Sequence, residues 1–212
     1  MGFEYTAPDK IEARSFEIIA NTLARMGKAV DGRHAFIVKR CIHASADFDY
    51  ADNLYFGDGA VDAMLAALLS GCGIVTDTEM ARAGINKAAV NRLGVSVNCF
   101  ISDEDVAAEA KERGTTRAAV GAEKAAGLDK PLIFAVGNAP TALIKLHELM
   151  ARGYKPAGII AVPIGFVNVA ESKELIISSG APCVAARGQK GGSPIAAAIC
   201  NALVYEILKG RG

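Results

Sequence analysis

"PLIFAVGNAPTALIKLHELMARGYKPAGIIAVPIG", residues 131–165, holds two short runs that are apolar at nearly every position, joined by a stretch of helical spacing. Runs without polar alternation suit strands covered on both faces, and two of them joined by a helix make a parallel β–α–β unit. Pro140 fits the first turn of that helix, where its missing N–H leaves no bond unmade, and the helix is expected over 140–152. Working outward, "GIVTD" from Gly73, "VSVNCFIS" from Val95 and "APCVAARG" from Ala181 repeat the pattern. Helical stretches around 79–83, 103–113, 117–126, 172–178 and 194–208 alternate with these runs. The reading is an α/β fold, a doubly wound, mostly parallel sheet of about five strands flanked by helices. Two further N-terminal helices would cover one side or reach a partner subunit.

In the N-terminal part, Thr6-Ala7-Pro8-Asp9 fits a capping box, and a helix is expected from there to near Gly27. Ile11, Ser15, Ile18 and Thr22 recur at helical spacing, so Ser15 projects from a largely apolar face. A second helix is expected after a cap at Asp31, running through "HAFIVKRCIHA". Arg40 and His43, three residues apart, are then neighbours on one surface. The segment "ADFDYADNLYFGDG", 46–59, has no sustained period and reads as a long loop. The helix in "GDGAVDAMLAALLSG" is expected to be capped by Asp58 and ended by Gly71.

With 212 residues, 51% of them hydrophobic and 22% charged, the chain suits one globular domain over 1–212. Lysine plus arginine (23) equals aspartate plus glutamate (23), so no overall field favours nucleic acid or an anionic membrane. Neither a secretory signal nor a run long enough to span a bilayer is evident, and a cytoplasmic location is expected. The five cysteines form no CxxC pair and are expected to be buried, reduced thiols. Cys41 and His43 lack supporting ligands at metal-site spacing, so no protein-bound metal is expected.

In an open α/β sheet, ligands sit beyond the carboxyl ends of the strands. Four loops fall there: 76–79, the Gly137-Asn138-Ala139-Pro140 turn, 163–166, and the Arg187 to Ser193 segment. The last, with Arg187, Lys190 and Gly192 before a helix, suits an anion. Neither GxxxxGK[ST] nor a strand-borne GxGxxG is present, which disfavours nucleotides. Glycine-rich turns are also common in this fold whatever it binds, so a purely structural role stays open. Among the three histidines, His34 and His147 read as packed side chains. His43 lies at a helix C-terminus, which favours the protonated ring; Arg40 opposes it, and Asp47 or Asp49 could restore it. Such a balance suits a group that gives and takes a proton, but these considerations alone leave packing and catalysis both open.

Seven segments add a resemblance: "ARSFEII", "VKRCIHASADFDYADNLYF", "TDTEMARAGI", "TTRAA", "AVGNAPTAL", "VPIGFVNVAESKELI" and "GQKGGSPIAAAICNAL". In this order they resemble the precorrin-8X methylmutase family of corrin biosynthesis. The resemblance implies an isomerase that moves a methyl group from C-11 to C-12 of a tetrapyrrole, giving hydrogenobyrinate or, with cobalt, cobyrinate. It implies His43 as proton donor and acceptor, Ser15 and Arg40 as substrate contacts, and Arg117 as the arginine of the family's "TR" motif. Arg187, Lys190 and the backbone around Gly137, Asn138 and Gly192 are further candidates for the substrate's carboxylates. No protein cofactor is implied; cobalt, if present, belongs to the substrate, and the "HASADFDYADNLYF" segment favours the cobalt form. A homodimer is implied too, with the opening helices and the aromatics Phe48, Tyr50, Tyr55 and Phe56 as a suitable contact; the competing view is that these rings seal the chain's own core or cover the macrocycle. The alternative function is a non-catalytic tetrapyrrole carrier using the same cleft, and a nucleotide-dependent oxidoreductase is disfavoured by the missing fingerprint.

Overall fold

The structure, a computed structural model, describes residues 7–30 and 32–210. Helices α1 (Ile11–Arg25) and α2 (Ala35–Ser45) come first, then a single turn α3 (Tyr50–Asn53), strand β1 (Leu54–Phe56) and helix α4 (Ala60–Leu69). Strand β2 (Gly73–Thr76) leads through α5 (Glu79–Gly84) and α6 (Lys87–Arg92) to β3 (Val97–Cys99). Helices α7 (Glu104–Glu112) and α8 (Arg117–Ala126) carry the chain to β4 (Leu132–Val136). Then α9 (Pro140–Ala151), β5 (Gly158–Ala161), α10 (Val169–Ser178), β6 (Cys183–Ala186) and α11 (Ser193–Lys209) follow.

The five expected strands form a parallel sheet, and a sixth, β1, joins it antiparallel, in the order β1-β6-β5-β4-β2-β3. Both faces are covered, as the unbroken apolar runs require. In β4, Ile133 and Ala135 enter one core layer while Leu132, Phe134 and Val136 enter the other. In β6, Val184 and Ala186 divide from Cys183 and Ala185 in the same way, the period-two alternation of a strand. The first layer packs against α2, α4 and α11, the second against α8, α9 and α10.

Several expectations need correction. The segment over 46–59 is not all loop: Leu54, Tyr55 and Phe56 pair with Ala186, Ala185 and Val184. Three residues are too few to show a period, and their register comes from β6, far along the chain. Leu54 and Phe56 turn to one core layer and Tyr55 to the other; Tyr50 is buried, and Phe48, Tyr55 and Phe56 are half-buried against the chain's own core. Helix α4 starts from Gly59 in the left-handed conformation, without a side-chain cap from Asp58. Helix α6 was unforeseen, although Asn86 caps it by accepting the Ala89 N–H at 3.1 Å. The proposed caps at Thr6 and Asp31 lie outside the described residues, as does the Asp9 side chain. On α1 the buried residues are Ile19 and Leu23, whereas Ile11 and Ile18 of the expected apolar face are exposed. All five cysteines are buried free thiols.

Candidate functional site

Winding reverses between β2 and β4, neighbours in the sheet although β3 lies between them in sequence. Such a crevice is where a doubly wound sheet usually accepts its ligand. Here the chain fills it from within. Asp77, immediately after β2, accepts the backbone N–H groups of Gly137, Asn138 and Ala139 at 2.8, 2.8 and 2.7 Å. Burial raises its carboxyl above the ordinary range, and these N–H groups oppose that rise by favouring the charged form. The N–H groups of Gly137 and Asn138, expected to face a substrate carboxylate, are therefore held by an internal one. The crevice is closed further by a 2.7 Å hydrogen bond between the hydroxyls of Thr78 and Ser193. A Cβ on Gly137 would stand 2.7 Å from the Ser193 Cα, so only glycine permits this approach.

The loop after β6 is held tightly. Gly192 (φ +122°) donates its N–H to the Val162 carbonyl at 2.8 Å, and a Cβ on Gly191 (φ +154°) would lie 2.1 Å from that same oxygen. On the interior side, the ammonium of buried Lys173 donates to the carbonyls of Gly188 and Lys190, both at 2.8 Å. Lys190 itself reaches Asp47 and Asp49, with 2.6 Å contacts to each. Its ammonium, hydrogen-bonded to Asp47, holds that carboxyl below the usual carboxylate range. Arg187, placed in the same anion cradle by its sequence position, instead lies over the Tyr55 ring at 5.1 Å and pairs with Glu174 at 3.5 Å.

Asp47 and Asp49 belong to the turn that follows α2. That helix buries Ile37, Val38, Cys41 and Ile42, which leaves His43 on its outer surface. It ends where Ala46 takes a left-handed conformation (φ 56°) and its N–H bonds back to Ile42 at 2.7 Å. The His43 ring is exposed, 5.3 Å from the Phe16 ring at an angle of 46°. The aspartates expected to assist His43 are thus engaged by Lys190. One turn back, the Arg40 guanidinium is sandwiched between the rings of Phe16 and Tyr205, 4.8 Å from each, and pairs with Glu12. Arg40 and His43 are consequently brought together around Phe16. Half-buried Ser15, adjacent to Phe16 on α1, donates its hydroxyl to the Ile11 carbonyl at 2.9 Å. A cleft of about 420 Å³ opens here, lined by Phe16, Lys39, Arg40, Ala202 and Tyr205 among others.

Arg117 is the exposed first residue of α8. The Thr116 hydroxyl before it caps the Ala119 N–H at 3.2 Å and meets the Thr141 hydroxyl at 2.7 Å, which ties this helix start to that of α9. Sequence reasoning missed Glu12, Asp77, Lys173 and Tyr205. A carboxylate closing the buried run "GIVTD" was a readable signal for Asp77. Tyr205 gave none, because its partner Arg40 lies on a helix distant in sequence. Among the described residues, no group of three or more His, Cys, Asp or Glu side chains converges as a metal site.

Comparison with known proteins adds an independent line of evidence. Residues 10–206 match the sequence model of the family described as Precorrin-8X methylmutase. The chain is 43% identical over 204 residues to a cobalt-precorrin-8 methylmutase of Salmonella typhimurium, covering 94% of this chain and 96% of that protein. It is 43% identical over 173 residues to a precorrin-8X methylmutase of Pseudomonas aeruginosa, covering 79% and 81% of the two chains. The crystal structure of a precorrin-8X methylmutase from Thermus thermophilus superposes with a TM-score of 0.86 at 33% identity, over 95% of this chain and 98% of that one.

Proposed function

From the premise that this chain belongs to the precorrin-8X methylmutase family, isomerases of corrin biosynthesis, we propose that His43 is the acid–base group of its methyl migration. The substrate is (cobalt-)precorrin-8, and the methyl group passes from C-11 to C-12 of the tetrapyrrole. His43 gives a proton to the conjugated ring system, the methyl shifts by a [1,5]-sigmatropic path, and the imidazole takes a proton back. The supporting observation is the pairing of an exposed imidazole with Arg40, fixed between two aromatic rings one turn away. An arginine so held offers planar, bidentate recognition of a substrate carboxylate without losing side-chain freedom on binding. Ser15 and Arg117 serve as further substrate contacts, with Lys190 at the neighbouring loop, where the Gly192 N–H is already held by Val162.

The chemistry needs no cofactor from the protein; cobalt enters, where present, within the substrate. The name of the Salmonella relative favours the cobalt form, and parallel assays with and without cobalt in the substrate decide it. Five free thiols suit a reducing, cytoplasmic setting. The protein is a homodimer in this reading, with α1 and its C-cap at the contact, where Ile11, Ile18 and Met26 are 52, 47 and 49% exposed.

The deciding experiment follows the absorbance of precorrin-8 or its cobalt complex, since moving the methyl alters conjugation. His43→Ala should lower kcat by about 10²- to 10⁴-fold, the usual share of acid–base catalysis, while corrinoid binding persists. Unaltered product formation in that variant would remove His43 from the chemistry. Tight tetrapyrrole binding with no product from the wild type would support a carrier instead.

A further inference from the structure

Lys173 is fully buried in α10, and among the described residues no carboxylate pairs with it. Burying an ammonium costs several kcal/mol even after relaxation, and an apolar residue of the same shape would fill the space without that cost. Its two hydrogen bonds must therefore supply something that packing does not. They run to the carbonyls of Gly188 and Lys190, while the carbonyl between them, on Gln189, accepts the Gly165 N–H at 3.2 Å. Three successive carbonyls are thus fastened, and Gly192 anchors the end of the loop on Val162. The Lys190 side chain bridges Asp47 and Asp49, in the turn that leaves the helix bearing His43.

We propose that Lys173 is a positioning residue: by holding the Gly188–Lys190 carbonyls it sets where Lys190 grips the Asp47–Asp49 turn, and so how the loop and the His43 end of α2 meet a substrate. The role rests on the methylmutase reading for the identity of that substrate, but not for the fastening itself.

Lys173→Met keeps the apolar stem and removes the donors. It should raise KM for the corrinoid about tenfold, equivalent to about 1.4 kcal/mol, with a much smaller change in kcat. Lys190→Met should do likewise. The double variant should be no worse than the poorer single one, because both act through one loop. An unchanged KM with only a lower melting temperature, or additive effects in the double variant, overturns the proposal.

Amide hydrogen exchange on the wild type guards against a variant that does not fold. The N–H groups of Gly165 and Gly192, both bonded within the fastened loop, should exchange well below those of Phe166 and Val167, which are 82 and 77% exposed. Equal rates in the two pairs overturn the fastening. If the wild type neither binds nor converts a tetrapyrrole, the methylmutase reading fails, while the exchange data still decide whether the loop is fastened.

Discussion

Arg40 is already paired with an acid of the protein, Glu12. Glu12 holds its guanidinium from the solvent side, the Glu12 side chain being 54% exposed against 16% for Arg40. A half-exposed pair of this kind contributes only modestly, so Glu12→Gln should lower KM for a polyanionic substrate by roughly 2- to 5-fold. Arg40→Lys should raise it, because a lysine neither stacks on both rings nor forks onto a carboxylate. Steady-state kinetics on the two variants, with opposite directions expected, checks the claim. The i, i+3 neighbourhood of Arg40 and His43 was readable from helical spacing. Their partners Phe16, Tyr205 and Glu12 were not, since each arrives from another helix. Lys173 adds a pH signature. Desolvation by burial pushes its ammonium down to about 8, whereas in the unfolded chain the proton stays on until about pH 10.4. Folding therefore carries the full cost of burying the charge below pH 8, and that cost lifts as pH rises between the two values. Over this window the melting temperature of the wild type should gain on that of Lys173→Met.

At the level of elements, the strands were legible because both faces of the sheet are covered, which leaves runs such as "LIFAV" with no polar position. Strand β1 was hidden in a polar, aromatic stretch, since its pairing is imposed by β6. The turn between β4 and α9 was legible as a ligand-facing feature of the fold, but its donors are filled by Asp77, whose contact is long-range. Asp77→Ala should leave three N–H groups without their acceptor and remove the anchor at the start of α9. A loss of about 3 kcal/mol is expected in urea unfolding, with a smaller loss for Asp77→Asn, which keeps an acceptor. The next loop can be tested at Gly191. Gly191→Ala drives a Cβ into the Val162 carbonyl, where the opposing atom is backbone and cannot swing aside. This variant should melt lower than wild type and lose affinity for the corrinoid, because Lys190 is displaced with the loop.

For the whole molecule, the α/β class and winding were visible from the chain alone, and the balanced charge offered no overall field toward nucleic acid. Which apolar residues stay uncovered was not visible, because helical spacing marks a face without saying what lies opposite. The aromatics over 48–56 pack against the chain's own core, while α1 leaves Ile11 and Ile18 exposed and the loop before α10 leaves Phe166 and Val167 exposed. Sedimentation equilibrium should accordingly give twice the 22.0 kDa chain mass, and Ile18→Lys should shift the population toward single chains. Particles of one chain only, across the concentration range, would remove the dimer.

The bridge from Lys190 to Asp47 joins residues 143 positions apart. On the ribosome, the segment with the imidazole emerges early and waits for almost the entire remaining chain before its tether and the α11 tyrosine exist. Nascent protein halted before β6 should be unable to hold the pigment, so competence is acquired at the last stage of synthesis and not gradually.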